Sequence, residues 1–169
     1  MSISMERMID LAKKPIEVFK SEEQFQEYAK EWQNILFLND WFITFKLVDK
    51  TIFADDGSEL WGYSSYAFSN SSAQITVYNG KTSSDGDSKN IAELTLVHEL
   101  LHLKLEYMTD NDIIGEITQL EASLRHKVLE MMAKSLIMVK YGVSKDYFND
   151  NIVFDSNFKN TETCRGVVK

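Results

Sequence analysis

The feature that most constrains the fold is a change in the spacing of apolar residues along the chain. Between Ser21 and about Leu38, apolar residues recur every three or four positions, and this spacing predicts an amphipathic helix. From Trp41 to Tyr78 the pattern changes to short segments rich in aromatic and β-branched residues, separated by turn-forming residues, which indicates strands. From Asn90 the helical spacing returns. Helices on either side of a small sheet predict an α+β fold.

Local sequence signals set the bounds of the individual elements. Ser21 precedes Gln24 by three residues, which predicts a capping box at the start of the first helix. The same spacing separates Asn90 from Glu93 and predicts a capping box at the start of the second helix. Gly142 is expected to end the last long helix. The predicted strands cover about residues 41–48, 62–68 and 74–78, and the later helices about residues 91–107 and 113–141. The sheet is expected to be small and mainly antiparallel, with residues 74–78 as an edge strand.

One domain with short appendages accounts for the sequence. Residues 1–149 are expected to form this domain, with an amphipathic helical appendage before Pro15, and residues 150–169 a polar tail. The net charge of −8, without a basic stripe, argues against nucleic-acid binding. No apolar run is long enough to span a membrane, and the first residues lack a secretion-signal pattern, so a cytoplasmic, non-membrane protein is expected. Cys164 is the only cysteine, which excludes an internal disulfide and a cysteine-based zinc site.

The motif His98-Glu99-Leu100-Leu101-His102 is the part of the sequence that indicates a metal-binding and catalytic site. Two histidines four residues apart project from the same face of a helix, so both imidazoles can reach one metal ion. They lie on the apolar face of the predicted helix, where an imidazole without a partner would cost on the order of 1–3 kcal/mol. Glu99 lies to the side of the metal, where it can take a proton from a water molecule and pass it to a leaving nitrogen. The pattern predicts a zinc site with His98 and His102 as ligands and Glu99 as the catalytic base.

The sequence Thr-Leu-Val-His-Glu-Leu-Leu-His-Leu at residues 95–103 resembles the extended signature of the zincin metallopeptidases. Lys104 departs from that signature, because the position is usually apolar in the family. A helix and a short sheet before the motif helix are similar to the arrangement in small phage- and prophage-type metallopeptidases, over roughly Asn34 to Met132. The resemblance implies a minimal zincin-like fold, in which the motif helix packs on a second long helix. It also implies that zinc and Glu99 together activate water for hydrolysis of peptide bonds.

A zincin needs a third protein ligand, which the next helix is expected to supply. The sequence after His102 lacks the glycine and histidine of the metzincin type, so a gluzincin-like glutamate is the better fit. Glu121 lies at the edge of an apolar stripe that is expected to face the motif helix, and it is the preferred ligand. Glu116, nearer the turn, and His126, between two basic residues, are the alternatives. Arg125 stands where many gluzincins carry an Asp that orients a zinc histidine, so a different group must orient it here. The stripe consists of Ile113, Ile117, Leu120, Leu124, Val128 and Met131.

Two functions are compatible with this site. The first is a zinc-dependent endopeptidase, whose protein or peptide substrate would lie extended along the strand Gln74–Tyr78. The second is a non-catalytic binding protein in which zinc holds two helices together. Glu99 favours the enzyme, because a purely structural zinc site has no use for a carboxylate at this position.

Overall fold

The computed structural model describes residues 14–84, 90–105 and 118–149, and it has the predicted α+β class. The N-terminal appendage and the tail from residue 150 lie outside the described residues. The helices are α1 (Glu22–Ile35), α2 (Ala92–Leu105), α3 (Gln119–Tyr141) and α4 (Asp146–Asn149). Among these helices, none has both the length and the apolar character required to cross a bilayer. The strands are β1 (Phe42–Val48), β2 (Ile52–Phe53), β3 (Glu59–Leu60), β4 (Gly62–Ala67) and β5 (Ser72–Tyr78).

Two of the predicted helix ends are confirmed. The side chain of Ser21 accepts a hydrogen bond from the backbone N–H of Gln24 at 3.3 Å, so it caps the start of α1. Gly142 ends α3 with a φ of 63°, a left-handed conformation that glycine adopts without steric cost.

The predicted capping box at the start of α2 is wrong. The side-chain amide of Asn90 donates to the backbone carbonyls of Tyr78, at the end of β5, and of Gly80, and Glu93 is buried among the helices. The first turn of α2 is capped by the backbone of an earlier segment instead. The N–H groups of Ala92 and Glu93 donate to the carbonyl oxygens of Glu17 and Ile16, at 3.1 and 3.0 Å. Long-range hydrogen bonds therefore replace the local ones that the spacing suggested.

The main sheet has three strands in the order β1–β5–β4, and β2 and β3 form a separate antiparallel pair. Strand β5 runs antiparallel to β4 but parallel to β1, with Phe42 opposite Ser72, so the main sheet is mixed. The prediction that residues 74–78 form an edge strand is wrong, because β5 is central. Alternation along a strand indicates which face is buried but does not identify the neighbouring strands.

Helix α2 packs against β4, β5, α1 and α3. Four side chains of α3 are buried in the core: Leu129, Ala133, Ile137 and Tyr141. The stripe predicted to face α2 lies largely on the opposite side, where Leu120, Leu124, Val128 and Met131 are 51–69% exposed. That prediction is wrong for these four residues, and Ile113 and Ile117 lie outside the described part. Because α3 is apolar on two faces, periodicity alone could not decide which one faces the core.

The buried carboxylate of Glu93 fixes how the helices are rotated. Its Oε1 accepts hydrogen bonds from Nε1 of Trp32 at 2.8 Å and from the hydroxyl of Tyr141 at 2.7 Å, and Nζ of Lys140 lies 3.1 Å away. Its Oε2 accepts from the N–H of Ile16 at 2.9 Å. These contacts join α1, α2 and α3 at one point, five residues before the first motif histidine.

Candidate metal centre

The motif lies in a buried turn of α2. The exposed fractions of His98, Glu99 and His102 are 7%, 5% and 3%. The sheet covers one side of the helix, and α1 and α3 pack on it from other directions. Several neighbouring side chains are almost completely buried: Leu96, Val97, Leu100, Leu101 and Leu103. Two imidazoles and a carboxylate are therefore held in an apolar environment, where each needs a polar partner.

The two motif histidines point toward each other at the spacing of metal ligands. The Nε2 atoms of His98 and His102 are 3.2 Å apart. Two nitrogens bound to one zinc ion at ~2.0–2.1 Å in tetrahedral geometry lie about 3.3 Å apart. The helix therefore presents this pair at the separation that a shared zinc ion requires.

The third side chain at this point is His126 of α3. Its ring centroid lies 4.7 Å from that of His98 and 6.3 Å from that of His102. One nitrogen from each of the three histidines lies within 4.8 Å of the other two. Within the described residues, this is the one group of three or more potential metal-binding side chains.

The structure does not bring the preferred third ligand, Glu121, to the histidines. Glu121 is exposed in the first turn of α3, where it forms a capping box with Thr118. Its Oε2 accepts hydrogen bonds from the N–H and the hydroxyl of Thr118, each at 2.8 Å. These bonds also lower the pKa of Glu121. The alternative Glu116 lies outside the described residues. His126 is thus the residue that the geometry favours.

Two signals in the sequence could have identified His126 earlier. Thr118 and Glu121 have the spacing of a capping box, which gives Glu121 a local role at a helix start. His126 also precedes Leu129 by three residues, and Ala133 follows Leu129 by four, so the three share one helix face. That face, and not the predicted stripe, packs against α2.

Glu130 is a site residue that the sequence interpretation missed. Its Oε2 lies 3.2 Å from Nδ1 of His98, although without the alignment of a regular hydrogen bond. Burial tends to raise the pKa of Glu130, but the contacts with His98 and Lys134 outweigh it and lower the pKa to about 2. Glu130 is therefore an ionised carboxylate behind a candidate metal ligand, the position of groups that orient such histidines. Its position makes Glu130 a candidate for the orienting group that the sequence analysis expected in place of Arg125.

The protonation states of His102 and His126 are also compatible with metal binding. Burial lowers the pKa of His102 to about 3 and also lowers the pKa of His126, and the nearby His98 adds to both effects. A metal binds neutral imidazole, so burial keeps these two side chains in the binding form at neutral pH.

Glu99 lies between the histidine group and strand β4. Burial raises its pKa to about 7, while the nearby His98 and a hydrogen bond from the Ser64 hydroxyl oppose the increase. A carboxyl with a pKa near neutrality can both accept and release a proton at physiological pH. The sequence predicted Glu99 as a base beside the first histidine, but it gave no sign of the contact of Glu99 with Ser64.

The three imidazole donors, the 3.2 Å separation of two of their nitrogens and the neutral state of His102 and His126 are compatible with a metal ion such as zinc, which these residues could hold. The neighbouring carboxyl group of Glu99 completes the arrangement.

Comparison of the chain with models of protein families, with curated protein sequences and with solved structures found no match.

Proposed function

We propose that this protein is a zinc-dependent peptidase that hydrolyses peptide bonds in a protein or peptide substrate. The observation that carries the proposal is the convergence of three histidines on one point, beside the buried carboxyl of Glu99. The described residues supply three protein ligands, which would leave one tetrahedral position open, as in catalytic zinc sites, whereas structural sites are closed by four. We include a cytoplasmic location in the proposal, because a chain with a single cysteine has no internal disulfide.

His98, His102 and His126 would hold the zinc ion. Bound there, zinc would polarise the scissile carbonyl and make water nucleophilic near neutral pH. Glu130 orients His98 from behind through its contact with Nδ1.

Glu99 would move the proton during the reaction. Its carboxylate takes a proton from the attacking water and delivers it to the amide nitrogen that leaves. Because apolar side chains surround it, Glu99 is shielded from bulk water, which would otherwise compete for this proton transfer.

A second candidate function is a zinc-stabilised binding protein without turnover. The burial of the motif favours it, because residues that are only 3–7% exposed offer a substrate little access. The zinc ion would then join α2 to α3 and stabilise the fold.

The metal assignment is tested by zinc analysis of purified protein after dialysis against a weak chelator. Wild type is expected to retain close to one zinc per chain, His126→Ala to lose most of it, and Glu121→Gln to match wild type. Loss of zinc in the Glu121 variant with retention in the His126 variant would overturn the assignment of the third ligand.

Glu99→Gln separates the enzyme from the binding protein. It keeps the shape of the side chain and removes the base, so zinc content should stay near wild type while peptide cleavage falls at least ~10²-fold. A proteome-derived peptide library provides an unbiased substrate. Equal cleavage by both proteins would show that Glu99 is not the base, and a zinc-loaded wild type that cleaves nothing would favour the binding protein.

A further inference from the structure

Strand β4 approaches the motif helix very closely at Gly62. A Cβ atom at this position would lie 2.7 Å from Cγ2 of Thr95 and 3.2 Å from Cγ of Glu99. It would also lie 3.0 Å from the carbonyl oxygen of Thr76 in the neighbouring strand. Real Cβ atoms essentially never approach another heavy atom to 2.7 Å, so the contact needs a residue without a side chain.

The groups around Gly62 have little freedom to give way. The hydroxyl of Thr95 donates a hydrogen bond of 2.8 Å to Oδ1 of Asn90, which holds the rotamer of Thr95. Asn90 is itself held, because its amide group donates to the carbonyls of Tyr78 and Gly80 at 3.0 and 3.1 Å. The distance between β4 and α2 is therefore set by a connected network at the start of the motif helix.

This close approach places Ser64 against the catalytic carboxyl. Alternate residues of a strand share a face, so Ser64 lies on the side of β4 that Gly62 turns toward α2. Its hydroxyl donates a hydrogen bond to the carboxylate of Glu99. Ser65, the next residue, has its side chain on the other face of the strand.

A buried carboxylate that acts as a base needs a defined orientation. The last torsion of a glutamate side chain has a broad energy profile, so packing alone does not fix the direction of its two oxygens. A hydroxyl that holds one oxygen leaves the other free to face the reacting water. We propose that Ser64 is a positioning residue for Glu99, held in place by the contact of β4 with α2 at Gly62. This inference rests on the proposed peptidase function.

The experiment compares Ser64→Ala with the matched control Ser65→Ala, which makes the same change one residue along the strand. Loss of a hydrogen bond to a charged group is expected to lower kcat about 10- to 100-fold in Ser64→Ala. KM, zinc content and the thermal midpoint should stay near wild type, and Ser65→Ala should match wild type throughout. Equal kcat in Ser64→Ala and wild type, or an equal loss in both variants, would overturn the proposal.

Crystal structures of the zinc-loaded proteins give a readout that does not depend on turnover. In Ser64→Ala the carboxylate of Glu99 is expected to rotate or to occupy more than one orientation, whereas in Ser65→Ala it should keep one. An unchanged, fully occupied orientation in Ser64→Ala would overturn the positioning role even if wild type cleaves no peptide. A wild type that is inactive toward the library, by contrast, would count against the peptidase function alone.

Gly62→Ala tests the contact that brings the strand to the helix. The added methyl group is expected to displace β4 and to lower kcat at least as much as Ser64→Ala. Thr95→Ser removes Cγ2, the atom closest to the added methyl group, and keeps the hydroxyl that binds Asn90. The double variant Gly62→Ala/Thr95→Ser should therefore regain part of the activity that Gly62→Ala loses. Full activity in Gly62→Ala would show that the close approach is not required.

Discussion

Replacing Glu93 by glutamine is expected to destabilise the protein by about 3–5 kcal/mol, the cost of removing one partner from a buried ion pair. Glutamine keeps the shape of the side chain but puts an NH₂ group where one of the two oxygens was. One oxygen position faces Nε1 of Trp32 and Nζ of Lys140, and the other faces the N–H of Ile16. All three groups are donors only.

Whichever way the glutamine amide turns, at least one buried donor loses its acceptor. An unsatisfied buried donor costs ~1–3 kcal/mol, and the remaining hydrogen bonds lose the charge that makes each worth ~1.5–3 kcal/mol. Tyr141 adapts, because its hydroxyl can also accept a hydrogen bond. The two contributions together reach the range expected for the broken ion pair.

Urea unfolding of the metal-free protein, followed by circular dichroism, measures this difference. Glu31→Gln is the matched control, since Glu31 also pairs with Lys140, at 2.9 Å, but its side chain is 49% exposed. An exposed pair is worth ~0–1 kcal/mol, so the control should lose no more than that. A loss below ~1 kcal/mol in Glu93→Gln, or equal losses in the two variants, would refute the role of the buried carboxylate.

Two further substitutions test other parts of the structure. Glu130→Gln is expected to weaken zinc binding about 10- to 100-fold in a chelator competition titration, because it removes the charge behind His98; unchanged affinity would show that Glu130 does not support this ligand. Phe37 has a φ of 54° and is 80% exposed at the end of α1, so Phe37→Gly is expected to raise the free energy of unfolding by about 1 kcal/mol. A lower unfolding midpoint would show that the ring of Phe37 contributes more than the backbone strain costs.

The sequence predicted those parts of the fold that depend on local spacing. The first helix, three strands of the main sheet and the two later helices lie close to their expected positions, because each has several residues of clear periodicity. The pair β2–β3 was missed, since strands of two residues are too short to show any alternation. Strand order and the rotation of α3 depend on contacts between distant residues, such as that of Glu93 with Tyr141.

The residues of the candidate site also fall into two groups: those that local spacing predicts and those that depend on contacts between distant parts of the chain. His98, Glu99 and His102 could be assigned from one helical turn, because a single backbone conformation fixes their relative positions. The choice between Glu121 and His126 depended on how a second helix is rotated, and a stripe of exposed apolar residues gave the wrong rotation. Ser64 lies on a strand that precedes the motif by about thirty residues, and nothing in its local sequence distinguishes it from Ser65.

The backbone cap on α2 also affects the order in which the protein can fold. The N–H groups that open the motif helix bind carbonyls at residues 16 and 17, about seventy-five positions earlier in the chain. During synthesis those carbonyls leave the ribosome early, and their donors, the N–H groups of Ala92 and Glu93, follow only after the whole sheet has been made. Strand β5, the last to be made, must also enter between two strands that precede it. Such non-local pairings are slow steps in folding. His126 is made later still, so the candidate metal site can be completed only after the sheet, α2 and the first turns of α3 have been made.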